Sequence, residues 1–206
     1  MQHTLNYPGN KGNIRSENIH ERYLTLKQMF HSMPDDIPLL IEIKYPMLYE
    51  ANDFKMDTFA PEVNHFLDTI LAVIYSHAGP RRQIILASFS PDICMVLAVK
   101  QQTYPILFGS DASNYPTGDQ RATSTQRAVR LARRFGLAGV LMASEPFVAS
   151  PGLVGLVRSQ GLYLATYGPL NDDANCAKIQ AKAGVNMLIV DQVKHVRQAL
   201  DEMESA

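Results

Sequence analysis

Tryptophan is absent from this chain, and cysteine occurs only twice, as Cys94 and Cys176. Two cysteines so far apart make no metal-type spacing. Cys94 lies in the apolar run Ile93-Cys94-Met95-Val96 and reads as a buried free thiol in a reducing compartment. Charge of neither sign dominates: 19 Lys and Arg stand against 20 Asp and Glu, a formal net charge of -1. Nucleic acid is therefore excluded as the main partner, because no basic excess is available to neutralise phosphates. No apolar run approaches the ~20 residues of a membrane span. The first 16 residues are polar and lack the apolar segment of a secretory signal. A cytoplasmic protein with a flexible leader over residues 1–20 is expected, followed by one domain over 21–206. No Gly-x-Gly-x-x-Gly follows a strand signal, which weakens a dinucleotide-binding reading, and no Ser-His-Asp or Cys-His motif is present.

What is present is most informative at Leu39-Leu40-Ile41-Glu42-Ile43-Lys44-Tyr45-Pro46. A leucine- and isoleucine-rich run carries an acid and a base two residues apart and stops at a proline. In a strand, residues two apart share a face, so Glu42 and Lys44 project together while Ile41 and Ile43 pack the other way. A carboxylate at that position is costly unless a cation meets it, either Lys44 or a metal.

Strand and helix signals alternate along the rest of the chain. A helix around Leu26 to Phe30 precedes the strand Leu39 to Lys44. A loop from Pro46 to Pro61 leads to a long amphipathic helix through Val63, Phe66, Leu67, Ile70 and Val73. The strand Gln83 to Phe89 runs into Ser90-Pro91, a cap and first-turn proline that start the helix Asp92 to Lys100. Strands are expected at Ile106 to Phe108, Gly139 to Ala143, Leu162 to Tyr167 and Met187 to Asp191. Helices are expected over Gln126 to Phe135, Pro151 to Gln160, Ala174 to Ala183, and from Asp191 to about Met203. Polar residues close nearly every strand: Glu42 and Lys44, Ser88, Ser144 and Glu145, Thr166 and Tyr167, Asp191. Contributions from many strand ends to one rim suit an α/β barrel, whose complete form has eight units. Six units make this a partial (β/α)8 TIM barrel lacking its first two strands.

Glu-Ile-Lys-Tyr-Pro at Glu42 to Pro46 resembles the third-strand motif of the glycerophosphodiester phosphodiesterase family. Further matches follow in order: Ser88-Phe89 with Pro91-Asp92-Ile93-Cys94, Pro105-Ile106-Leu107-Phe108, Ser144-Glu145-Pro146, Thr166-Tyr167-Gly168 with Asn171-Asp172, and Ala183-Gly184-Val185 before Ile189-Val190-Asp191. The similarity runs from about Thr25 onward. It implies a phosphoric diester hydrolase that converts glycerophosphocholine-like diesters to glycerol phosphate and an alcohol, with a divalent metal, magnesium or calcium, at the rim. It also implies Glu42 as a metal ligand and Lys44 as a partner of the substrate phosphate or of the metal-site carboxylates; Ser88 and Tyr167 are read from their strand-end positions as substrate-binding residues. The family's His-Arg-Gly and Glu-x-Asp have no counterpart before Glu42, and His3 and His20 sit in the polar leader. No catalytic residue is therefore carried over, and the isolated chain is expected to be inactive and to self-associate through open sheet edges.

Blander readings stand beside these. Glu42 and Lys44 form a plain ion pair, Ser88 bonds backbone, Tyr167 belongs to the core, Glu145 starts a helix and Asp191 caps one. Arg127, Arg130 and Arg134 share a helical face expected to be solvated. His31, His65, His77 and His195 are expected on the surface or in structural roles. At the level of function, the alternative to an enzyme is a non-catalytic remnant or binding module of the same fold.

Overall fold

The computed structural model describes residues 23–53, 55, 59–112, 114 and 117–205. The expected leader, with His3 and His20, lies outside these. The described chain forms two compact units, the first drawn from residues up to Leu39 and from Tyr45–Ile84, the second from Leu40–Lys44 and Ile85–Ala206.

The first unit holds three helices, α1 (Leu26–Ser32), α2 (Leu48–Asp53) and α3 (Val63–His77). Thr25 and Gln28 form a reciprocal capping box at the start of α1. Helix α3 buries Leu67, Leu71 and Ile74, a 3.6-residue stripe. Arg82 ties this unit together. Its fully buried guanidinium donates to the carbonyls of Ala78, Pro34, Ile37 and Met33 and pairs with Asp35 at 3.0 Å.

The second unit carries a six-stranded parallel sheet: β1 (Leu39–Glu42), β2 (Ile84–Ser88), β3 (Ile106–Ser110), β4 (Gly139–Ala143), β5 (Tyr163–Tyr167) and β6 (Met187–Leu188). Spatial order follows chain order, β1-β2-β3-β4-β5-β6. That order decides the architecture. Right-handed crossovers between successive neighbours place the helices of this unit on one side of the sheet, with no reversal point of the kind a doubly wound sheet requires. Helices α4 (Pro91–Lys100), α5 (Thr125–Arg134), α6 (Glu145–Ala149), α7 (Gly152–Arg158), α8 (Ala174–Ala183) and α9 (Val193–Glu204) supply that layer. The result is an α/β half-barrel. On the helix side, Phe108, Leu86, Met142, Val140 and Leu164 are completely buried. On the concave side, Ala87, Leu107, Leu141 and Ala165 form a second cluster, flanked by the partly buried Leu40, Ile85, Phe89, Tyr167 and Met187.

The rim segment after β4 forms the short helix α6, begun by Glu145 with Pro146 in its first turn, in line with the blander reading of Glu145. Other elements differ from expectation. Helix α2 stands inside the stretch read as a loop. The last strand keeps two residues where five were expected, because Asn171 and Asp172 take over the chain beyond Leu188: the Asn171 amide donates to the Ile189 carbonyl, and an Asp172 carboxylate oxygen accepts from the amides of Asp191 and Gln192.

Candidate functional site

Strand β1 places the first two site residues. Leu40 packs onto the concave cluster and Ile43 is buried on the other face. The amide of Ile43 donates to the Ala87 carbonyl, so strand pairing continues past Glu42. With a side-chain period of two, Glu42 and Lys44 follow Leu40 to the concave face. Their charges meet at 3.1 Å, with the lysine side chain 82% and the glutamate 32% exposed. A pair this exposed is worth roughly 0–1 kcal/mol to the fold, so stability alone does not account for it.

An aromatic and acidic corner stands at the carboxyl ends of β2, β3 and β5. The Phe89 ring lies edge-to-face with Tyr167, centroids 5.4 Å apart. Gly109 makes room for it: a Cβ there would come within 2.6 Å of the ring. The Tyr167 hydroxyl donates to Asp111 at 2.5 Å. Asp111 lies beyond the expected strand Ile106 to Phe108 and was not among the expected site residues; its place immediately after the run Ile106-Leu107-Phe108-Gly109-Ser110 was the available signal.

A third group sits at the end of β4. The Ser144 amide donates to the Tyr167 carbonyl, extending the ladder. The Ser144 hydroxyl and Glu145 Oε2 are buried without a hydrogen-bond partner among the described residues. Gly168 passes beside them with φ of +111°, and a Cβ on it would sit 3.4 Å from the Ser144 hydroxyl. Buried oxygens without partners are uncommon in folded proteins.

Other expected residues stand elsewhere. Ser88 alternates with Ala87 and Phe89 and so turns from the concave face. Its buried hydroxyl donates to the Ile43 carbonyl at 2.7 Å and accepts from the Ser90 amide. Thr166 is likewise turned away, in a closed network with Asn171 and Gln180. Asp191 is exposed and does not cap α9 through its side chain. His31 and His77 meet each other at 3.3 Å in the first unit, while His65 and His195 lie exposed on α3 and α9. Partial desolvation, then Lys27 and His31, hold His77 below the ordinary histidine range. Burial pushes the Cys94 thiol up to about 12, so it is inert at neutral pH.

A hard divalent cation takes about six to eight oxygen ligands. Among the described residues, no three His, Cys, Asp or Glu side chains are grouped to hold a metal. Glu42 offers one carboxylate, already engaged with Lys44. The described residues therefore do not fit a complete magnesium or calcium site. Among them, too, no helix is long and apolar enough to cross a membrane.

Comparison with known proteins meets this geometry from another side. The profile of the glycerophosphoryl diester phosphodiesterase family matches residues 4–195, beginning well before the Thr25 from which the resemblance was expected. The glycerophosphocholine phosphodiesterase of Candida albicans is 41% identical over 94% of this chain and 17% of its own length. That of Homo sapiens is 33% identical over 88% of this chain and 27% of its own length. The chain spans between about a seventh and just under half the length of the curated relatives it matches. Among solved structures, the glycerophosphodiester phosphodiesterase of Thermotoga maritima superposes with a TM-score of 0.57 at 17% identity, over 86% of this chain and 63% of that one. The enzyme of Parabacteroides distasonis gives 0.58 at 12% identity, over 81% and 58%. Identities that low speak to the barrel fold alone, and the sequence relatives speak to the family. With the profile covering almost the whole chain and the rim built as the fold requires, the chain belongs to the glycerophosphoryl diester phosphodiesterase family.

Proposed function

We propose that the concave rim holds a glycerophosphodiester with a cationic alcohol, glycerophosphocholine being the representative, as the substrate-holding side of a phosphoric diester hydrolase. The observation that carries this reading is the Glu42–Lys44 pair, set on the concave face at a strand's carboxyl end and too exposed to be explained by stability. Lys44 donates to a phosphate oxygen, and Glu42 steers the ammonium. If further oxygens completed a site, Glu42 would supply one carboxylate ligand to a divalent cation. The Phe89–Tyr167 pair, with the Asp111 carboxylate beside it, suits a quaternary ammonium, which aromatic faces and nearby negative charge both attract. Ser88 is given the job of fastening the end of β1. In hydrolysis, a water oxygen forms the new bond to phosphorus, the bond to the alcohol oxygen breaks, and that oxygen takes a proton. A reducing, cytoplasmic location belongs to the same reading, supported by two unpaired thiols.

Among the described residues no histidine stands on this rim, which favours a second reading, a binding module that holds the diester without cleaving it. A chimera separates the two: this chain replaces its matching segment in the Candida albicans relative, and choline release from glycerophosphocholine is assayed. The hydrolase reading predicts retained turnover that Glu42→Ala or Lys44→Ala reduces at least tenfold, the loss of a charge-assisted contact worth about 1.5–3 kcal/mol. A folded chimera without turnover supports the binding module.

A further inference from the structure

The second unit carries an arginine-lined cleft that the rim does not use. It has a volume of about 570 Å³ and is lined by Met95 of α4, Gln120 and Arg121 before α5, and Arg127, Arg130, Leu131, Arg134 and Phe135 of α5 and its end. Helix α5 reads TQRAVRLARR, four arginines and no acid in ten residues. Arginines three and four apart on a helix lie about 5–6 Å from one another and repel. Three of them on one exposed face make a local positive patch, each pair costing only about 0.2–0.5 kcal/mol in water.

The counter-charges that exist are already engaged. Arg121 takes both carboxylates of the neighbourhood, bonding Asp119 at 2.6 Å and Asp92 at 2.7 Å. Arg127 donates to the carbonyl and side chain of Gln120, Arg130 to the carbonyl of Gln126, and Arg134 lies 5.7 Å over the Phe135 ring. None of these three has an acidic partner among the described residues. Four guanidinium charges against two carboxylates leave a local excess of two positive charges, in a chain whose formal net charge is -1. Arg127, Arg130 and Arg134 are exposed, as expected of a solvated face, and Arg121 joins them from a different segment.

We propose that this cleft binds a small anion carrying several phosphate groups. Residues 127 to 134 extend for about 10 Å at 1.5 Å per residue. A single phosphate therefore reaches two arginines at most, whereas a ligand with phosphates in series engages all three. Guanidinium groups suit phosphate by their planar paired donors. The apolar floor of Met95, Leu131 and Phe135 gives the site the mixed lining of a small-molecule pocket. The arginines are exposed and the cleft is open to solvent, within reach of a small ligand.

The test is calorimetric titration of the 206-residue chain with tripolyphosphate, with orthophosphate and with vesicles of phosphatidylserine in phosphatidylcholine. Tripolyphosphate is expected to bind at least tenfold more tightly than orthophosphate. R127Q/R130Q/R134Q is expected to remove that preference while leaving the far-ultraviolet circular dichroism intact, and R133Q, outside the cleft lining, to leave it unchanged. If the triple variant does not fold, R130Q alone still predicts a severalfold loss. Equal affinity for the two phosphates, an R133Q effect as large as that of the cleft variants, or tighter binding to vesicles than to tripolyphosphate would overturn the proposal.

Discussion

Single side chains show how far residue type alone decides a role. Ser88 and Tyr167 both end strands, yet one is turned to the helix side to hold the Ile43 carbonyl and the other faces the concave side against Asp111. Parity within the strand separates them, and parity depends on register that the sequence leaves open by one residue. Arg82 was not singled out from sequence, since nothing in Pro80-Arg81-Arg82-Gln83 distinguishes it from Arg81; only the folded chain shows it buried among carbonyls. Arg82→Met should destabilise the protein by about 2–4 kcal/mol, read by urea denaturation, because buried carbonyls lose their donor. Arg81→Met should change little. Thiol chemistry gives a second check. Cys94 is buried and pushed up to about 12, while Cys176 is only partly buried. A disulfide reagent should label one thiol per native chain at neutral pH and two in denaturant. Arg121, first through its side-chain hydrogen bond, holds Asp119 below the usual carboxylate range. A depressed folded value means stabilisation that is fully present above the unfolded carboxylate pKa near 4 and lost as pH falls through the lower folded value. Asp119→Asn should therefore lower stability at neutral pH and flatten its fall below about pH 4.

Elements were legible wherever start and stop signals were local. Ser90-Pro91 begins α4, and Gly184, with φ of +92°, ends α8, as cap chemistry requires. They were less legible where side chains from elsewhere intervene: β6 is cut to two residues by Asn171 and Asp172, which bond the backbone that would otherwise extend it. The aromatic corner shows the same dependence. Phe89 is visible in the sequence, but its position rests on Gly109 of the neighbouring strand, which leaves space for the ring. Gly109→Ala should push the ring aside, cost about 1–3 kcal/mol as overpacking does, and weaken binding of tetramethylammonium chloride measured by nuclear magnetic resonance. Unchanged ring chemical shifts for Phe89 and Tyr167 in that variant would contradict the packing described.

At the scale of the whole molecule, alternation of strand and helix led to the barrel reading, and the monotonic strand order agrees with it. The rim was partly legible: Glu42, Lys44 and Tyr167 from their strand-end positions, but not Asp111, which needed the fold. Among the described residues β1 and β6 are the two edges of the sheet. Unpaired edges of this kind are templates for pairing with other chains. Sedimentation velocity should accordingly show concentration-dependent association, and a monomer at all concentrations would contradict it. The central claim is that the concave rim recognises a glycerophosphodiester through Lys44 and the Tyr167 corner. Calorimetric titration of glycerophosphocholine into the wild-type chain, Lys44→Ala and Tyr167→Ala tests it most directly. Saturable binding that falls about tenfold in each variant is the predicted result; no binding, or equal affinity in all three proteins, would contradict the account.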